Sequence, residues 1–282
     1  AKTTTMITDI RLAGQQLAAP RFDTPKKLVS WMGAIQAQDY AMARWAVGIR
    51  LKSATARSVG EAFSRGEILR THVMRPTWHL VAAEDIRWML KLSARRIRSA
   101  NESLAKGRQL ELTEQLHYRC DRLLEKMLEG NRNLTKQQIG EELNRQGIAA
   151  DTPRLTRLLM RAETEAVVCS GPFSGGRQTY ALLEERVPPV PELHPDEALA
   201  KLATAYFRSH SPASLQDFVW WSGLSVTEAR HAVGLIGRSL TAERFGQREL
   251  FVHESCRAAE TSGVPLYLLP AYDCLLYTSD AA

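Results

Sequence analysis

The stretch Thr135–Leu182, TKQQIGEELNRQGIAADTPRLTRLLMRAETEAVVCSGPFSGGRQTYAL, decides the fold. Its opening Thr-Lys-Gln-Gln is a capping box that starts a helix, and Gly147 ends that helix. Thr152-Pro153 then starts another helix, because proline is favoured in a first helical turn. Alternating apolar residues flank the glycine-rich run Gly171–Gln178, which predicts a β-hairpin. With a preceding helix from Thr113, this order predicts a winged helix-turn-helix unit.

The same order of helices and hairpin recurs on both sides of this stretch. One internal match, Val29–Gly33 with Val219–Gly223, places a glycine before a new helix in each copy. The sequence therefore predicts a mainly α protein with small β-hairpins, an α+β fold of tandem winged helices. The predicted limits are 7–110, 111–187 and 188–273, the last including the first strand of a C-terminal β-barrel that is cut off.

The last nine residues, 274–282, differ in character from the rest of the chain. They resemble the translated read-through of a transposon-end sequencing adapter, so we expect them to be foreign. Pro265–Pro270 is predicted to be a strand that enters a further sheet.

Composition and charge narrow the function classes. The 282 residues are 44% hydrophobic and 24% charged, without a run of about 18 apolar residues, so no membrane partner and a cytoplasmic, nucleoid-associated location are expected. The four cysteines form no pattern typical of a metal site or a disulfide framework, so no metal and no cofactor are predicted.

The net charge is +6, and one predicted helix from about residue 83 to 104, with the residues just after it, is strongly cationic. Such a cluster of cations favours a polyanion as the binding partner. The cations are Arg87, Lys91, Arg95, Arg96, Arg98, Lys106 and Arg108, against Glu102.

The run Ile35–Asp39, IQAQD, places three polar side chains where a helix-turn-helix would favour apolar ones. The repeat places Gln36 and Gln38 in the turn and the first residues of a third helix, near DNA. Glutamine is neither a useful acid nor a useful base, but its amide can hold a water and stabilise developing positive charge. Such help suffices for N-alkylated purines, which leave as already activated groups. Asp39, the nearest carboxylate, is a candidate base or electrostatic stabiliser.

Four runs of sequence carry a resemblance to a known family, namely Gln36-Ala37-Gln38, Met74–Val81, Gly171-Pro172 with Tyr180–Leu182, and Leu268–Asp273. Together they resemble the AlkZ-like winged-helix DNA glycosylases, over residues 8–273. The resemblance implies three tandem winged helices, a C-terminal β-barrel and a monomeric enzyme that excises N7-alkylated purines, some of them bulky or crosslinked, from double-stranded DNA.

The resemblance also suggests individual residue roles. Gln36 and Gln38 take the catalytic positions, and the Ser170–Gln178 hairpin takes the place of the element that probes DNA at the lesion. Predicted DNA contacts are Arg75 and His79 near the cleft, Arg154 and Arg157 on a helix face, and Gly175, Gly176, Arg177 and Gln178 in the hairpin.

Plainer interpretations stay open for each of these features. A Gln-x-Gln pair is often only a solvated polar pair, and a histidine in a Trp-His-Leu strand is often a half-buried sheet residue. The arginine face also suits simple solvation, and the two glycines suit the hairpin turn alone. Tandem winged helices also fit a non-catalytic transcriptional regulator, which would bind one DNA sequence far more tightly than others.

Overall fold

The computed structural model describes residues 2–256 and 266–277 of the chain. Helices dominate, with short antiparallel pairs of strands, so the mixed fold that the sequence predicted is confirmed at this level. The helices are α1 (Lys2–Gly14), α2 (Pro25–Met32), α3 (Tyr40–Gly48), α4 (Ala56–Ser64), α5 (Ile86–Gly107), α6 (Glu114–Leu128), α7 (Lys136–Arg145), α8 (Thr152–Thr164), α9 (Leu183–Arg186), α10 (Pro195–His210), α11 (Leu215–Ser222) and α12 (Val226–Leu235). The strands are β1 (Ile35–Gln36), β2 (Ile68–His72), β3 (Trp78–Ala82), β4 (Leu134–Thr135), β5 (Val168–Ser174), β6 (Arg177–Leu182), β7 (Leu240–Phe245) and β8 (Arg248–His253).

The strands form small sheets with the orders β1-β3-β2, β4-β6-β5 and β7-β8. The pairs β5–β6 and β7–β8 are antiparallel hairpins, and the first lies at the position predicted around Gly171–Gln178. Each hairpin follows a set of helices in the chain, as the sequence predicted, whereas the assignment of the three sets as winged helices stays a prediction.

The chain divides into two compact units that are not continuous in sequence. One unit contains Ala1–Glu61, Leu80–Ala82 and Leu193–Ala282, and the other contains Ala62–His79 and Ala83–Glu192. We call them the glutamine unit and the hairpin unit, after the candidate residues that each contains. The predicted limits 7–110, 111–187 and 188–273 divide the chain differently and stay a prediction.

The hairpin unit is built around α6, α7 and α8. Thr135 caps α7 in a reciprocal capping box with Gln138, as its sequence predicted. Gly140 allows α7 to approach α8, since a Cβ there would lie 2.9 Å from Leu155 Cδ2. Burial of each large apolar side chain in this core contributes about 1.5–3 kcal/mol before the entropy of ordering. Its members include Leu124, Leu128, Ile139, Leu143, Leu155, Leu158, Leu159, Val168 and Tyr180.

The glutamine unit packs its helices around α10. Thr24 caps α2 through its side chain, and Pro25 stands in the first turn as predicted. The glycines of the internal match, Gly33 and Gly223, both follow a helix and both have positive φ (+78° and +69°). A side chain at Gly33 would also be crowded, because its Cβ would lie 3.0 Å from the Cβ of Ala205 on α10. Glycine is therefore required where α2 turns into the candidate site.

Two sequence predictions need correction or qualification. Residues 266–270 form no strand in the described structure, so the predicted strand is wrong there; residue 265 lies outside the described residues. The cationic helix α5 is present, but acidic partners within the same unit neutralise part of its charge. Arg98 contacts Glu165 at 2.7 Å, and Lys91 pairs with Glu192.

No helix in the described ranges is long and apolar enough to cross a membrane. Within the same ranges, no group of three or more His, Cys, Asp or Glu side chains could hold a metal ion.

Candidate functional site

The predicted catalytic residues lie together between α2 and α3 of the glutamine unit. Gln36 is half-buried in β1, Ala37 is fully buried, and Gln38 and Asp39 are exposed. The prediction that the glutamines lie in a turn and a first helical turn is wrong, since Gln36 is in a strand and α3 begins only at Tyr40. Burial alternates from Ile35 to Gln38, which is the period of extended backbone. Both glutamines are therefore more exposed than the buried residues Ile35 and Ala37 that alternate with them, although the strand ends at Gln36 and Gln38 lies in a bend.

The backbone on both sides of the glutamines is fixed by hydrogen bonds. Before them, Arg208 of α10 donates to the carbonyl oxygens of Ser30 (2.6 Å) and Trp31 (3.0 Å), at the end of α2. After them, the carboxylate of Asp39 accepts from the Met42 N–H at 3.1 Å and so caps α3. A segment anchored at both ends holds its side chains in a narrow range of positions, which a water-positioning site requires.

Trp31 strengthens the anchor on the α2 side. The guanidinium groups of Arg21 and Arg208 lie 4.6 and 4.8 Å from the centre of a Trp31 ring, within the range of cation–π attraction. The indole N–H donates to the Gly14 carbonyl at 2.8 Å. These contacts join α1, α2 and α10 behind the glutamine segment.

A buried ion pair lies directly after α3. Arg50 is 1% exposed and forms two parallel hydrogen bonds with the carboxylate of Asp273, at 2.7 and 2.9 Å. It also donates to Gln15 Oε1 and the Ala46 carbonyl, both at 3.0 Å. Sequence reasoning missed this pair, because no local pattern indicates a contact between residues 223 positions apart. Cys274, which was set aside as foreign, packs beside it with Sγ 3.4 Å from Gln15 Oε1.

The candidate DNA-probing hairpin belongs to the hairpin unit. Gly175 and Gly176 form a two-residue loop between paired Ser174 and Arg177, with φ of +55° and +75°. Positive φ at both central residues is typical of a type I′ turn. No heavy atom lies within 4 Å of a Cβ built on either glycine, except for atoms of the immediate chain neighbours. The turn therefore projects as a narrow backbone tip.

The two polar residues after the tip contact other parts of their unit. Arg177 is exposed and donates to Gln137 Oε1 of α7 at 2.9 Å. The side-chain oxygen of Gln178 accepts from Arg70 Nη1 of β2 at 2.6 Å. Gln178, predicted as a DNA contact, therefore has its carbonyl oxygen engaged within the protein.

His79 is buried, whereas Arg75 is half-buried. Burial, and to a lesser extent the charge of Arg75, lowers the pKa of His79 to about 3, so its imidazole is neutral at physiological pH. Nδ1 lies 3.0 Å from the Thr77 carbonyl, so this nitrogen carries the proton and donates it. A buried, neutral imidazole does not offer a charge to a phosphate, and DNA contact by His79 stays a prediction.

The arginine face of α8 is only partly available to solvent. Arg154 donates to the Glu111 carbonyl at 3.2 Å and lies 3.7 Å from Asp151. Burial and the neighbouring charge of Arg108 lower the pKa of Arg157. Arg154 and Arg157 thus stay candidate phosphate contacts on one helix of the hairpin unit.

The structure brings the predicted residues together in two groups. Gln36, Gln38 and Asp39 are adjacent in the glutamine unit. The others belong to the hairpin unit, namely Arg75, His79, Arg154, Arg157, Gly175, Gly176, Arg177 and Gln178.

Comparisons with known proteins bear on the fold and the family of the chain. The structure of DNA glycosylase AlkZ from Streptomyces sahachiroi is similar, with a TM-score of 0.66 and 22% identity over 88% of this chain and 69% of that chain, which shows a common fold. No curated protein matched the chain. The model of the family described as DNA glycosylase AlkZ-like matches residues 29–281, including most of the segment that was set aside as foreign. Because this match covers most of the chain, the protein belongs to the AlkZ-like family of DNA glycosylases, which are DNA repair enzymes.

Proposed function

We propose that this DNA glycosylase hydrolyses the N-glycosidic bond of N7-alkylated purines in double-stranded DNA, with Gln36 and Gln38 holding the attacking water. One observation carries the proposal: the two amides are the more exposed residues of a short run between the end of α2, where Arg208 binds the Ser30 carbonyl, and the start of α3, which Asp39 caps. Because buried and exposed residues alternate in this run, the two side chains can act on one water.

The chemistry suits amide side chains. An N7-alkylated purine carries a positive charge, so its bond to the sugar breaks through an oxocarbenium-like state without prior protonation. A glutamine oxygen can accept a hydrogen bond from the water and place its dipole beside the developing sugar cation. The leaving base takes the bonding electron pair, and the water adds to the sugar carbon and releases its proton to solvent.

Asp39 acts on this chemistry through the backbone in our proposal. Its carboxylate oxygen accepts the Met42 N–H and fixes the first turn of α3, directly after Gln38. This supports a positioning role for Asp39, while the base or stabiliser role remains the competing prediction.

The hairpin unit supplies the proposed contacts to the duplex. The open Gly175-Gly176 tip is narrow enough to approach stacked bases, and the exposed Arg177 beside it suits a phosphate. Arg154, Arg157 and the half-buried Arg75 are further proposed backbone contacts. The winged-helix organisation, a monomeric state and activity on bulky or crosslinked adducts belong to this same proposal.

Release of 7-methylguanine from alkylated duplex DNA tests the proposal. Single-turnover release by the wild type should fall about 10²–10³-fold in Gln36→Ala and Gln38→Ala, the usual cost of one stabilising polar group. Gln146→Ala is the matched control, since Gln146 is an exposed glutamine just after α7 whose side chain donates to Glu142 of that helix.

A duplex with an N7-linked interstrand crosslink and one with a bulky N7 adduct are the other substrates. Unhooking or base release there, with the same loss in the glutamine variants, would support the function with a bulkier substrate class. Failure of the wild type on all three substrates would overturn the proposal. Equal activity of the glutamine variants and the wild type would overturn the role of Gln36 and Gln38.

A further inference from the structure

The base of the β5–β6 hairpin rests on a line of side chains from β2 and β3. Arg70 and His72 are two positions apart on β2, so both face the same side of the strand. The Trp78 ring of β3 contacts both, with its centre 4.4 Å from the Arg70 guanidinium carbon and 3.9 Å from the centre of the His72 ring. The three groups form a stacked row within the hairpin unit.

Arg70 holds both strands of the hairpin. Its backbone N–H donates to Ser170 Oγ of β5 at 2.9 Å, and its guanidinium donates to Gln178 Oε1 of β6 at 2.6 Å. The Gln178 bond is charge-assisted, short and half-buried, which makes it stronger than an ordinary surface contact. Arg70 therefore spans the hairpin immediately before its tip.

The far end of the row is anchored in α8. Nδ1 of His72 lies 2.5 Å from Oε2 of Glu163, whose side chain is fully buried. A buried carboxylate needs such a partner, because an unpaired buried charge is strongly unfavourable. Burial raises the pKa of Tyr180 on β6. The charge of Glu163 raises this pKa further, and the charge of Arg70 lowers it, so both charged groups lie near the hairpin.

The hairpin needs this support because its own ladder is interrupted. The register of β5 against β6 shifts between Ser170 and Phe173, which is a β-bulge. Beyond the bulge the described tip has no neighbour around Gly175 and Gly176 outside its own chain segment. A bulge permits the outer part of a hairpin to bend, so contacts near it decide where the tip lies.

We propose that Arg70 is a positioning residue that sets the direction of the hairpin tip, and that this direction determines how well the enzyme discriminates damaged from undamaged duplex DNA. The inference rests on the proposed function insofar as the hairpin engages DNA. It adds a residue far from the tip in sequence, which acts through Gln178 rather than by contact with DNA.

Hydrogen exchange of the hairpin tests the positioning without DNA. In the full-length chain, Arg70→Ala should speed exchange in the peptide covering residues 168–182 by about tenfold, the factor for loss of one charge-assisted hydrogen bond. Arg177→Ala is the matched control, since it removes a neighbouring arginine bonded to Gln137 and should leave the outer ladder protected.

Changes at Gln178 separate this role from a general loss of folding. Gln178→Glu keeps an acceptor for Arg70 and should preserve protection, whereas Gln178→Leu should match Arg70→Ala. Arg70→Lys keeps the charge but loses the planar group that stacks on Trp78, so it should behave like Arg70→Ala. The effects of Arg70→Ala and Gln178→Leu should not add in the double variant, because each breaks the same bond.

Discrimination is measured as the ratio of Kd for undamaged over N7-alkylated duplex. The ratio should fall about tenfold in Arg70→Ala and should keep its wild-type value in Gln178→Glu. A generally destabilised protein would instead lose affinity for both duplexes together. Unchanged exchange in Arg70→Ala and Gln178→Leu, or faster exchange with an unchanged ratio, would overturn the inference. If the wild type releases no base at all, the proposed function fails, and the exchange comparison still decides whether Arg70 positions the tip.

Discussion

The glutamine segment and the β5–β6 hairpin are both short elements that carry candidate site residues, but their anchoring contacts lie in different places. The glutamine segment is fixed at its two ends by Arg208 and by the Asp39 cap, and it carries two amide side chains. The hairpin is bonded to Arg70 at Ser170 and Gln178, just before its tip, and the tip carries two glycines with no side chain. The role of the glutamine segment therefore depends on its side chains, and the role of the hairpin depends on the path of its backbone.

This difference predicts separate kinetic consequences for the two elements. A change in the glutamine segment should affect bond cleavage, since it alters groups near the proposed reacting atoms. A change in the hairpin should affect recognition, because it alters how a DNA-contacting surface is placed.

The largest expected effect compares Gln36→Ala with Arg177→Ala. At saturating alkylated duplex, Gln36→Ala should lower single-turnover release about 10²–10³-fold, or about 2.7–4 kcal/mol, with Kd unchanged. Arg177→Ala should leave that rate unchanged, weaken binding and reduce the dependence of log Kd on log salt by about one. Rate and affinity are measured by rapid quench and fluorescence anisotropy.

The opposite pattern would contradict the assignment of cleavage to the glutamine segment and recognition to the hairpin. A rate loss in Arg177→Ala at saturating DNA would mean that the hairpin participates in cleavage. An affinity loss without a rate loss in Gln36→Ala would assign the glutamines to binding.

Local signals in the sequence predict much of the fold around both elements. The capping box at Thr135, Thr24-Pro25 before α2 and the Gly175-Gly176 turn lie within a few residues of the structure that they specify. Those elements are confirmed, because hydrogen bonds within a few residues largely determine caps and tight turns.

The rest depends on contacts that no local pattern encodes. The glutamines were predicted at a helix start by analogy with the repeat. Asp39 is the N-cap of α3, however, so the helix begins at Tyr40 and both glutamines precede it. Arg50 and Asp273 are far apart in sequence, as are His72 and Glu163, so their pairing was not predictable from the sequence. The glutamines and Asp39 were thus identifiable from the sequence, whereas the contacts of Arg208 and the two long-range pairs were not.

The second prediction concerns pH, to which base release and folding stability should respond differently. Glutamine amides do not titrate near neutrality, so release at saturating DNA should stay flat from about pH 6.5 to 9. The buried His79 of β3 has a pKa of about 3, below the usual 6.5. As the pH falls from 6.5 towards 3, the unfolded chain gains a proton that the folded chain does not, so stability falls.

The size of this loss follows from the pKa difference. It is about 1.4 kcal/mol per pH unit, or about 2 kcal/mol at pH 5, for a fully buried group. Denaturant melts of wild type and His79→Leu, compared between pH 7 and 5, measure it. The wild type should lose more stability than the variant over this range; parallel losses would refute the burial argument for His79.

The third prediction tests whether the hairpin tip depends on its backbone. Gly175→Ala and Gly176→Ala should each cost about 1–2 kcal/mol, because an alanine at positive φ is strained. Gly175→Asn should cost less, since asparagine tolerates this conformation and is favoured there in type I′ turns. The ratio of Kd for undamaged over N7-alkylated duplex should fall with the strain at both positions. A larger loss with asparagine than with alanine at 175 would show that side-chain bulk, not backbone conformation, is what matters.

The smallest expected effect is at Asp39, and it decides between two roles for the carboxylate. As the cap of α3, Asp39 should be replaceable by asparagine, whose side-chain oxygen can accept the same Met42 N–H; Asp39→Ala should cost about 1 kcal/mol. As a base, Asp39 would fail equally in both variants, because an asparagine amide does not take up the proton of a water. Single-turnover release by Asp39→Asn near the wild-type rate, with a lower melting temperature only in Asp39→Ala, would confirm the cap. A large rate loss in Asp39→Asn without loss of stability would make Asp39 a third catalytic residue, and the glutamine segment would then act by proton transfer as well as by positioning.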